Sequence, residues 1–361
     1  MSLKKPMSTQ TPLRKFEQAL LKSWRSPTIL TLVLLPLSGL YLVLSTLNRW
    51  TYTLGPKARY EAAVPTIVVG NLTVGGSGKS PFVAALVKAL QSKEYRVGIV
   101  SRGYKRSSDK AAVVLNEQSD ARDVGDEPLM LFHQTNAPTA VAADRKSAID
   151  ALLKVHDLDV IVCDDGLQHW KLKPSVTICI DDQSLVSRNR LVLPAGPYRE
   201  LYSRLKQMHE VVAHVVKPSD SAEEINLDSN DFKVAHSVFW LEPQAVSSVH
   251  SNNATSGNEG GDVTESLTPR RVNLVAGIAK PQRFFETAQS LGYSGPEHSF
   301  SDHHQFVESD LKFDNDLPIL MTEKDAVKCN GFTANQLWYL PVTAQLDQNM
   351  IDRVINRITQ N

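Results

Sequence analysis

Along the chain, short apolar runs alternate with stretches whose apolar positions recur at helical spacing. The runs "PTIVVGN", "YRVGIVS", "AAVVLN", "LDVIVCDD", "SVTICIDD" and "EVVAHVV" are rich in β-branched residues and predict buried strands. Between them, "PFVAALVKALQS" and "DRKSAIDALLKV" repeat apolar residues every three or four positions, as amphipathic helices do. Strands apolar throughout, separated by helices, predict a mostly parallel sheet covered on its faces. A second strand and helix series begins at "RRVNLVAGIAKPQRFFETAQSLG" and continues to "LPILMTEKDAVK"; "QLWYLPVTAQL" and a last helix are expected to return to the first domain. The stretch 247–269, rich in Ser, Asn and Gly, has no period and reads as a flexible surface insertion.

The N-terminal pattern is different. From Thr28 to Leu47, "TILTLVLLPLSGLYLVLSTL" has no charge and matches the length of a membrane-crossing helix. Basic residues flank it on both sides, Lys22 and Arg25 before, Arg49, Lys57 and Arg59 after, so no direction of crossing is favoured and both ends are expected on the cytoplasmic side. Pro36 and Gly39 weaken a straight span, which leaves open a helix that dips into the membrane or lies at its surface. The domain reading is therefore 1–50 membrane segment, 51–217 nucleotide domain, 218–335 smaller α/β domain, and 336–361 returning to the first.

Composition narrows the picture. The 361 residues, 42% of them hydrophobic, suffice for two cores. Lys plus Arg and Asp plus Glu number 39 each, so the chain lacks the basic excess of a nucleic-acid binder. Cys163, Cys179 and Cys329 are scattered without metal-ligand spacing; Cys163 and Cys179 sit in apolar strand-like runs where a free thiol behaves as a small hydrophobe, and a reducing compartment is expected.

The chemistry concentrates at strand ends. "GNLTVGGSGKS" runs from a strand into a helix; backbone amides over Thr73, Val74, Gly75, Gly76, Ser77 and Gly78 would close on phosphate, with the helix N-terminus adding positive charge. Lys79 would bridge the terminal phosphates of ATP and Ser80 would ligate Mg2+. Thr73 stands where the common phosphate loop has its first glycine. Asp164 and Asp165 end an apolar strand, where open α/β sheets bind ligands, and would serve the metal. Arg102, Lys105 and Arg106 of "SRGYKR" are candidate grips on substrate phosphate. Asp126 and Glu127 of "GDEP" open a helix, for which capping alone is a sufficient reason. "SFSDHHQF" offers Asp302, His303 and His304 for metal binding, base orientation or a cap; taken alone, it favours Asp302 as a cap and one histidine in solvent.

The anchor followed in order by "VGNLTVGGSGKSP", "SRGYKR", "GDEP", "DDGLQH", "LPAGPYRE" and "DHHQF" resembles the tetraacyldisaccharide 4'-kinases of lipid A biosynthesis, over nearly the whole chain except 247–269. The resemblance implies a P-loop (RecA-like) α/β fold with a second, smaller α/β domain and an N-terminal membrane-associated helix. It implies transfer of the γ-phosphate of ATP, with Mg2+, to the 4'-hydroxyl of an acylated glucosamine disaccharide 1-phosphate, at the cytoplasmic face of the inner membrane of a Gram-negative bacterium. Carried over, Asp126 is the base, His303 its orienting partner, Glu127 an outer-shell metal residue, and Arg102, Arg106 and Arg199 contacts to phosphate. The sequence departs from the family pattern at Ser80, Lys105 and Tyr198, where threonine, glycine and leucine are usual. A membrane-associated partitioning ATPase is the alternative; its loop carries a lysine where this chain has Val74.

Overall fold

The computed structural model describes residues 12–55, 59–103, 112–182, 189–216, 236–249, 267, 270–332 and 336–360. Two helices lead, α1 (Pro12–Arg25) and α2 (Ile29–Thr53). A large sheet then takes β1 (Thr66–Gly70), β2 (Val97–Ser101), β3 (Val113–Val114), β4 (Thr139–Val141), β5 (Val160–Asp164), β6 (Val176–Asp182), β7 (Glu210–His214) and β8 (Ser237–Pro243). Its helices are α3 (Lys79–Gln91), the short α4 (Ala121–Val124), α5 (Asp126–Thr135) and α6 (Arg145–Val155). A small sheet follows with β9 (Ser247–Ser248), β10 (Asn273–Ala276), β11 (Glu297–Ser299), β12 (Ile319–Thr322) and β13 (Leu337–Leu340), and with α7 (Pro281–Ser290) and α8 (Glu323–Ala326). Finally β14 (Val342–Leu346) and α9 (Gln348–Thr359) rejoin the large sheet.

Strand order in the large sheet is β14-β8-β7-β6-β1-β5-β2-β4-β3, parallel except for the pairs β14 with β8 and β3 with β4. The strand β1 lies between β5 and β6, so the chain leaves it in both directions and opens a crevice at its C-terminal end. Alternation along β1 divides the core into two layers. Ile67 and Val69 face Phe82, Leu86 and Leu90 of α3 and Val354 of α9. Val68 faces the other layer with Ile149 and Leu152 of α6. The small sheet, β11-β10-β12-β13-β9, is parallel except for β9. All three cysteines are buried and free.

Sheet membership corrects the boundaries drawn from the sequence. Strand β8, assigned to the second domain, belongs to the large sheet: Phe239 packs edge-on against Phe82 at 5.1 Å and stacks on His214 at 4.7 Å. The return falls at Pro341, because β13 remains in the small sheet while β14 pairs with β8. The insertion reading also fails at its two ends, where Ser247 and Ser248 pair with β13 and Val249 and Leu267 fill apolar clusters. The rest of that stretch, 250–266 and 268–269, lies outside the described residues.

The 25 residues of α2 extend roughly 37 Å, enough to cross a bilayer, and the helix runs through Pro36. One side is docked. Leu34 and Ser38 are buried, Ser38 Oγ donates to Val192 O at 3.0 Å and accepts from Ala195 N at 2.9 Å, and the Tyr41 hydroxyl donates to Arg199 O at 2.8 Å. From α1, Trp24 Nε1 donates to Pro194 O at 2.8 Å. The other side exposes Leu32, Val33, Leu40, Val43, Leu44 and Leu47, an apolar stripe that water disfavours and lipid accepts.

Placing Asp at both Leu40 and Leu44 is therefore expected to reduce recovery with membranes while leaving the thermal midpoint close to that of the wild type, since neither side chain supports the fold. Phe82→Ala should instead cost about 3–5 kcal/mol of stability by denaturant titration. Unfolding of the Leu40/Leu44 variant would show that this face is part of the core.

Candidate active site

The strand-end crevice opens between the two sheets into a cleft of about 1570 Å³, lined by residues 75–81, by Asp126 and Glu127, by Asp164 and Asp165, and by Asp302, His303 and Lys324. On one wall the chain leaves β1 and turns through Gly75 and Gly78, whose φ values of +105° and +83° suit glycine. At Gly78 a Cβ would also meet His214 at 3.2 Å; that ring, stacked on Phe239, has Nδ1 3.1 Å from Ser77 O and braces the loop from below. Gly78 caps α3, so the positive end of the helix faces the cleft at Lys79 and Ser80. Thr73 and Val74 lie outside the cleft lining: Thr73 bridges Tyr198, and the Val74 N–H is donated to Pro197 O at 2.9 Å.

Asp164 and Asp165 diverge because Asp165 takes a left-handed backbone conformation, φ +47°. Their environments push them apart electrostatically. Burial first, then the nearby charges of Glu127 and Asp165, raise Asp164 from the ordinary 3.8 to about 7. Burial also works against ionisation of Asp165, but Lys79 at 3.6 Å and Arg199 at 3.3 Å outweigh it and hold this carboxyl below its usual range. Buried Arg145 donates to Asp164 O at 2.8 Å and so fixes the backbone of the pair. Asp164 Oδ1 is buried with no hydrogen-bond partner among the described residues. Ser80, Asp165 and Glu127 line the same cleft and carry oxygens of the kind Mg2+ takes, although among the described residues no three acidic, His or Cys side chains gather closely enough to form a metal site by themselves.

Asp126 opens α5 after Gly125, which has a φ of +95° and where a Cβ would come within 3.3 Å of the Gly103 Cα; the "SRGY" and "GDEP" motifs thus meet at two glycines with no room for a side chain between them. From the opposite wall comes His303, also left-handed at φ +59°, with its N–H donated to Gly277 O at 3.2 Å. His303 Nδ1 lies 2.9 Å from Asp126 Oδ2 and 3.1 Å from Oδ1. Lys324, an ammonium with donors only, stands 3.4 Å from His303 Nε2 and 2.9 Å from Glu127 Oε1. That neighbour leaves Nε2 as the acceptor and puts the imidazole hydrogen on Nδ1, donated to Asp126. Burial tends to raise Asp126, but the His303 hydrogen bond and the charges of Lys324 and Lys328 prevail, so its carboxyl sits below the usual range.

Of the sequence-assigned residues, Arg102 lines the cleft, Arg199 reaches Asp165, and Lys105 and Arg106 lie outside the described residues. Asp302 caps no helix; its Oδ1 is 3.6 Å from Lys324. Neither histidine stands in solvent, as one of the two was expected to: His303 reaches Asp126, and His304 is half-buried against Phe300 and Phe306 and pairs with Asp310 at 2.9 Å. Sequence reasoning missed Asn71, which accepts from Lys79 at 3.0 Å, and also Arg145, His214, Lys324 and Lys328. Lys324 lies in the stretch "TEKD", whose Thr322 and Asp325 build a buried brace: Asp325 accepts from Thr322 Oγ1 at 2.7 Å and from Gly277 N at 2.8 Å.

The raised Asp164 has a consequence for stability. A folded state that binds this proton more tightly than the unfolded chain is destabilised as pH rises from about 4 to about 7, where the unfolded carboxyl has already ionised. Because half-buried His169, lowered from 6.5 to about 4, contributes in the opposite sense over the same window, the test is a difference: the thermal midpoint of nucleotide-free Asp164→Asn should climb relative to wild type as pH goes from about 4 to about 7 and stay above it beyond. Identical slopes for the two proteins would contradict the assignment.

Comparison with known proteins agrees with this geometry. The family model described as tetraacyldisaccharide-1-P 4'-kinase matches residues 30–360. The tetraacyldisaccharide 4'-kinase of Aromatoleum aromaticum is 38% identical over 338 residues, 93% of this chain and 96% of that protein. The enzyme of the same name from Legionella pneumophila strain Corby is 38% identical over 326 residues, 90% of this chain and 93% of that protein. Among solved structures, an "apo" form of LpxK from Aquifex aeolicus in complex with ATP superposes with a TM-score of 0.71 at 25% identity, covering 91% of this chain and 99% of that one. A phosphate loop on β1, paired acids on β5 and a matching family model over nearly all the chain lead to one conclusion: the chain belongs to the tetraacyldisaccharide 4'-kinase family.

Proposed function

We propose that the protein transfers the γ-phosphoryl group of ATP to the 4'-hydroxyl of a tetraacyldisaccharide 1-phosphate, at the cytoplasmic face of the inner membrane. The observation that carries this reading is the Asp126–His303 contact across the cleft from the phosphate loop. It sets a buried carboxylate beside the position a sugar hydroxyl would take to attack a bound nucleotide.

Each residue then has a task. The amides at 75–78 and the end of α3 hold phosphate oxygens, and Lys79 exchanges Asn71 and Asp165 for the terminal phosphates. Ser80, Asp164, Asp165 and Glu127 would hold Mg2+, which when bound neutralises charge on the phosphate oxygens. Asp126 accepts the hydroxyl proton, while the Nδ1–H of His303 keeps its carboxylate turned toward the acceptor. Being ionised well below neutral pH, Asp126 is a weak base. A weak base suffices where bond formation to the acceptor lags bond breaking, as in a loose phosphoryl-transfer transition state. Of the arginines lining the cleft, Arg102 and Arg199 are the two that the resemblance assigns to phosphate. The exposed stripe of α2 would sit among acyl chains and bring the cleft to the lipid's sugar head.

Asp126→Asn is expected to lower turnover by about 100- to 10,000-fold with little change in ATP affinity. His303→Ala should also be damaging, and the double variant should fall well short of the product of the single losses. Multiplicative losses would contradict a paired action. Lys79→Ala should abolish transfer in a folded protein, and near-normal turnover by that variant would remove the phosphate loop from the mechanism.

A further inference from the structure

Arg49, near the end of α2, and Arg204, in the 3₁₀ turn at 202–207, converge on one indole. Their guanidinium carbons lie 5.0 and 5.1 Å from the Trp170 ring centroid. Both donate to the same atom, Gln207 Oε1, at 2.6 and 2.7 Å. Among the described residues one carboxylate reaches the cluster, Glu200, at 3.4 Å from Arg204 Nε. Glu200 also accepts from Gln168 at 3.0 Å. Two guanidiniums against one carboxylate leave an excess of positive charge in a half-buried place, an arrangement that an anion would complete. Burial and the neighbouring charge of Arg49 both weaken the hold of Arg204 on its proton, as expected where like charges crowd.

The surroundings say which anion. On one side, the exposed Val43, Leu44, Leu47 and Trp50 of α2 and the exposed Leu201 offer apolar surface, so the ligand belongs to a lipid. On the other side a chain of side-chain contacts leads back to the catalytic acids: Arg204 to Glu200, Glu200 to Gln168, Gln168 to Arg199 at 3.2 Å, and Arg199 to Asp165. Arg199 spends its charge on Asp165 and therefore belongs to the nucleotide end of the site. A second phosphate on the acceptor, remote from the hydroxyl that reacts, needs other cations. Two planar forks side by side suit a phosphomonoester, which approaches two negative charges near neutral pH.

We propose that Arg49 and Arg204, backed by Trp170 and Gln207, form a binding site for a lipid-borne phosphate, the 1-phosphate of the acylated disaccharide. The assignment rests on the kinase reading above and extends it: the anchor helix itself supplies part of the acceptor site.

The test is steady-state kinetics in neutral detergent micelles, with the acylated disaccharide 1-phosphate and with the same lipid stripped of its 1-phosphate. Arg49→Gln and Arg204→Gln should each raise KM for the phosphorylated acceptor about tenfold or more, the loss expected for a charged hydrogen bond. The KM for ATP should stay unchanged, and Arg49→Lys should recover part of the loss. Toward the stripped acceptor, wild type and variants should share one high KM. Equal penalties on both acceptors, or a wild-type KM in the variants, would overturn the proposal. Should Arg204→Gln fail to fold, Arg49→Gln decides alone. Sedimentation with phosphatidylglycerol and phosphatidylcholine vesicles separates the other source of lipid phosphate. Variants that bind both vesicles as wild type does support the acceptor assignment. Loss confined to phosphatidylglycerol, with acceptor KM unchanged in micelles, would give the pair to bulk phospholipid and sink it. A wild type that phosphorylates neither acceptor would instead refute the kinase reading, a failure visible before any variant is compared.

Discussion

Four carboxylates crowd one end of a parallel sheet, and their mutual repulsion is the constraint on which the rest of the structure depends. Asp126, Glu127, Asp164 and Asp165 all line one cleft. Bringing them together out of water is costly unless cations are built around them. Lys79 and Arg199 serve Asp165, Arg145 holds the backbone of Asp164, and Lys324 spans Glu127 and the Asp126–His303 pair. Asp164 is the exception: buried, with one oxygen unpartnered among the described residues, it keeps its proton to about pH 7. That imbalance is where a further cation would be accommodated, beside the phosphate loop, whose Lys79 stands 3.6 Å from the neighbouring Asp165.

The same charges join the two sheets. Asp126 and Glu127 stand on the large sheet's side, His303 and Lys324 on the small sheet's, and their contacts bridge the cleft. A similar economy governs the N-terminal helix. Ser38 and Tyr41 of α2 hydrogen-bond the loop that carries Arg199, so the exposed apolar helix and the residue that meets Asp165 share one support. The apolar helix is thus mechanically continuous with the candidate active site.

Much of this was legible in the sequence wherever the signal is local. Apolar strands, helical periods, the glycine run before Lys79 and the acids ending β5 each declare themselves within a dozen residues, because periodicity and loop chemistry are short-range. Asp126 and His303 were different. Read locally, one is a helix-opening acid and the other part of a polar bend; only the order of motifs across the chain, through resemblance, suggested that they meet. The supporting cations were illegible because Arg145, Lys324 and Lys328 acquire meaning only from partners far away in sequence. Sheet boundaries went astray for the same reason: nothing in "SVFWLEP" tells which sheet it joins until Phe239 finds Phe82 and β14 pairs beside it.

The central claim is that the cleft delivers phosphate to a sugar on a lipid. The direct measurement is the fate of label from γ-labelled ATP with purified protein in detergent micelles, with and without acylated disaccharide 1-phosphate. The account predicts that ATP turnover requires the acceptor, with label recovered one for one in the lipid at the 4'-position. ATP hydrolysis to inorganic phosphate at the same rate without acceptor, and no label in the lipid, would contradict it.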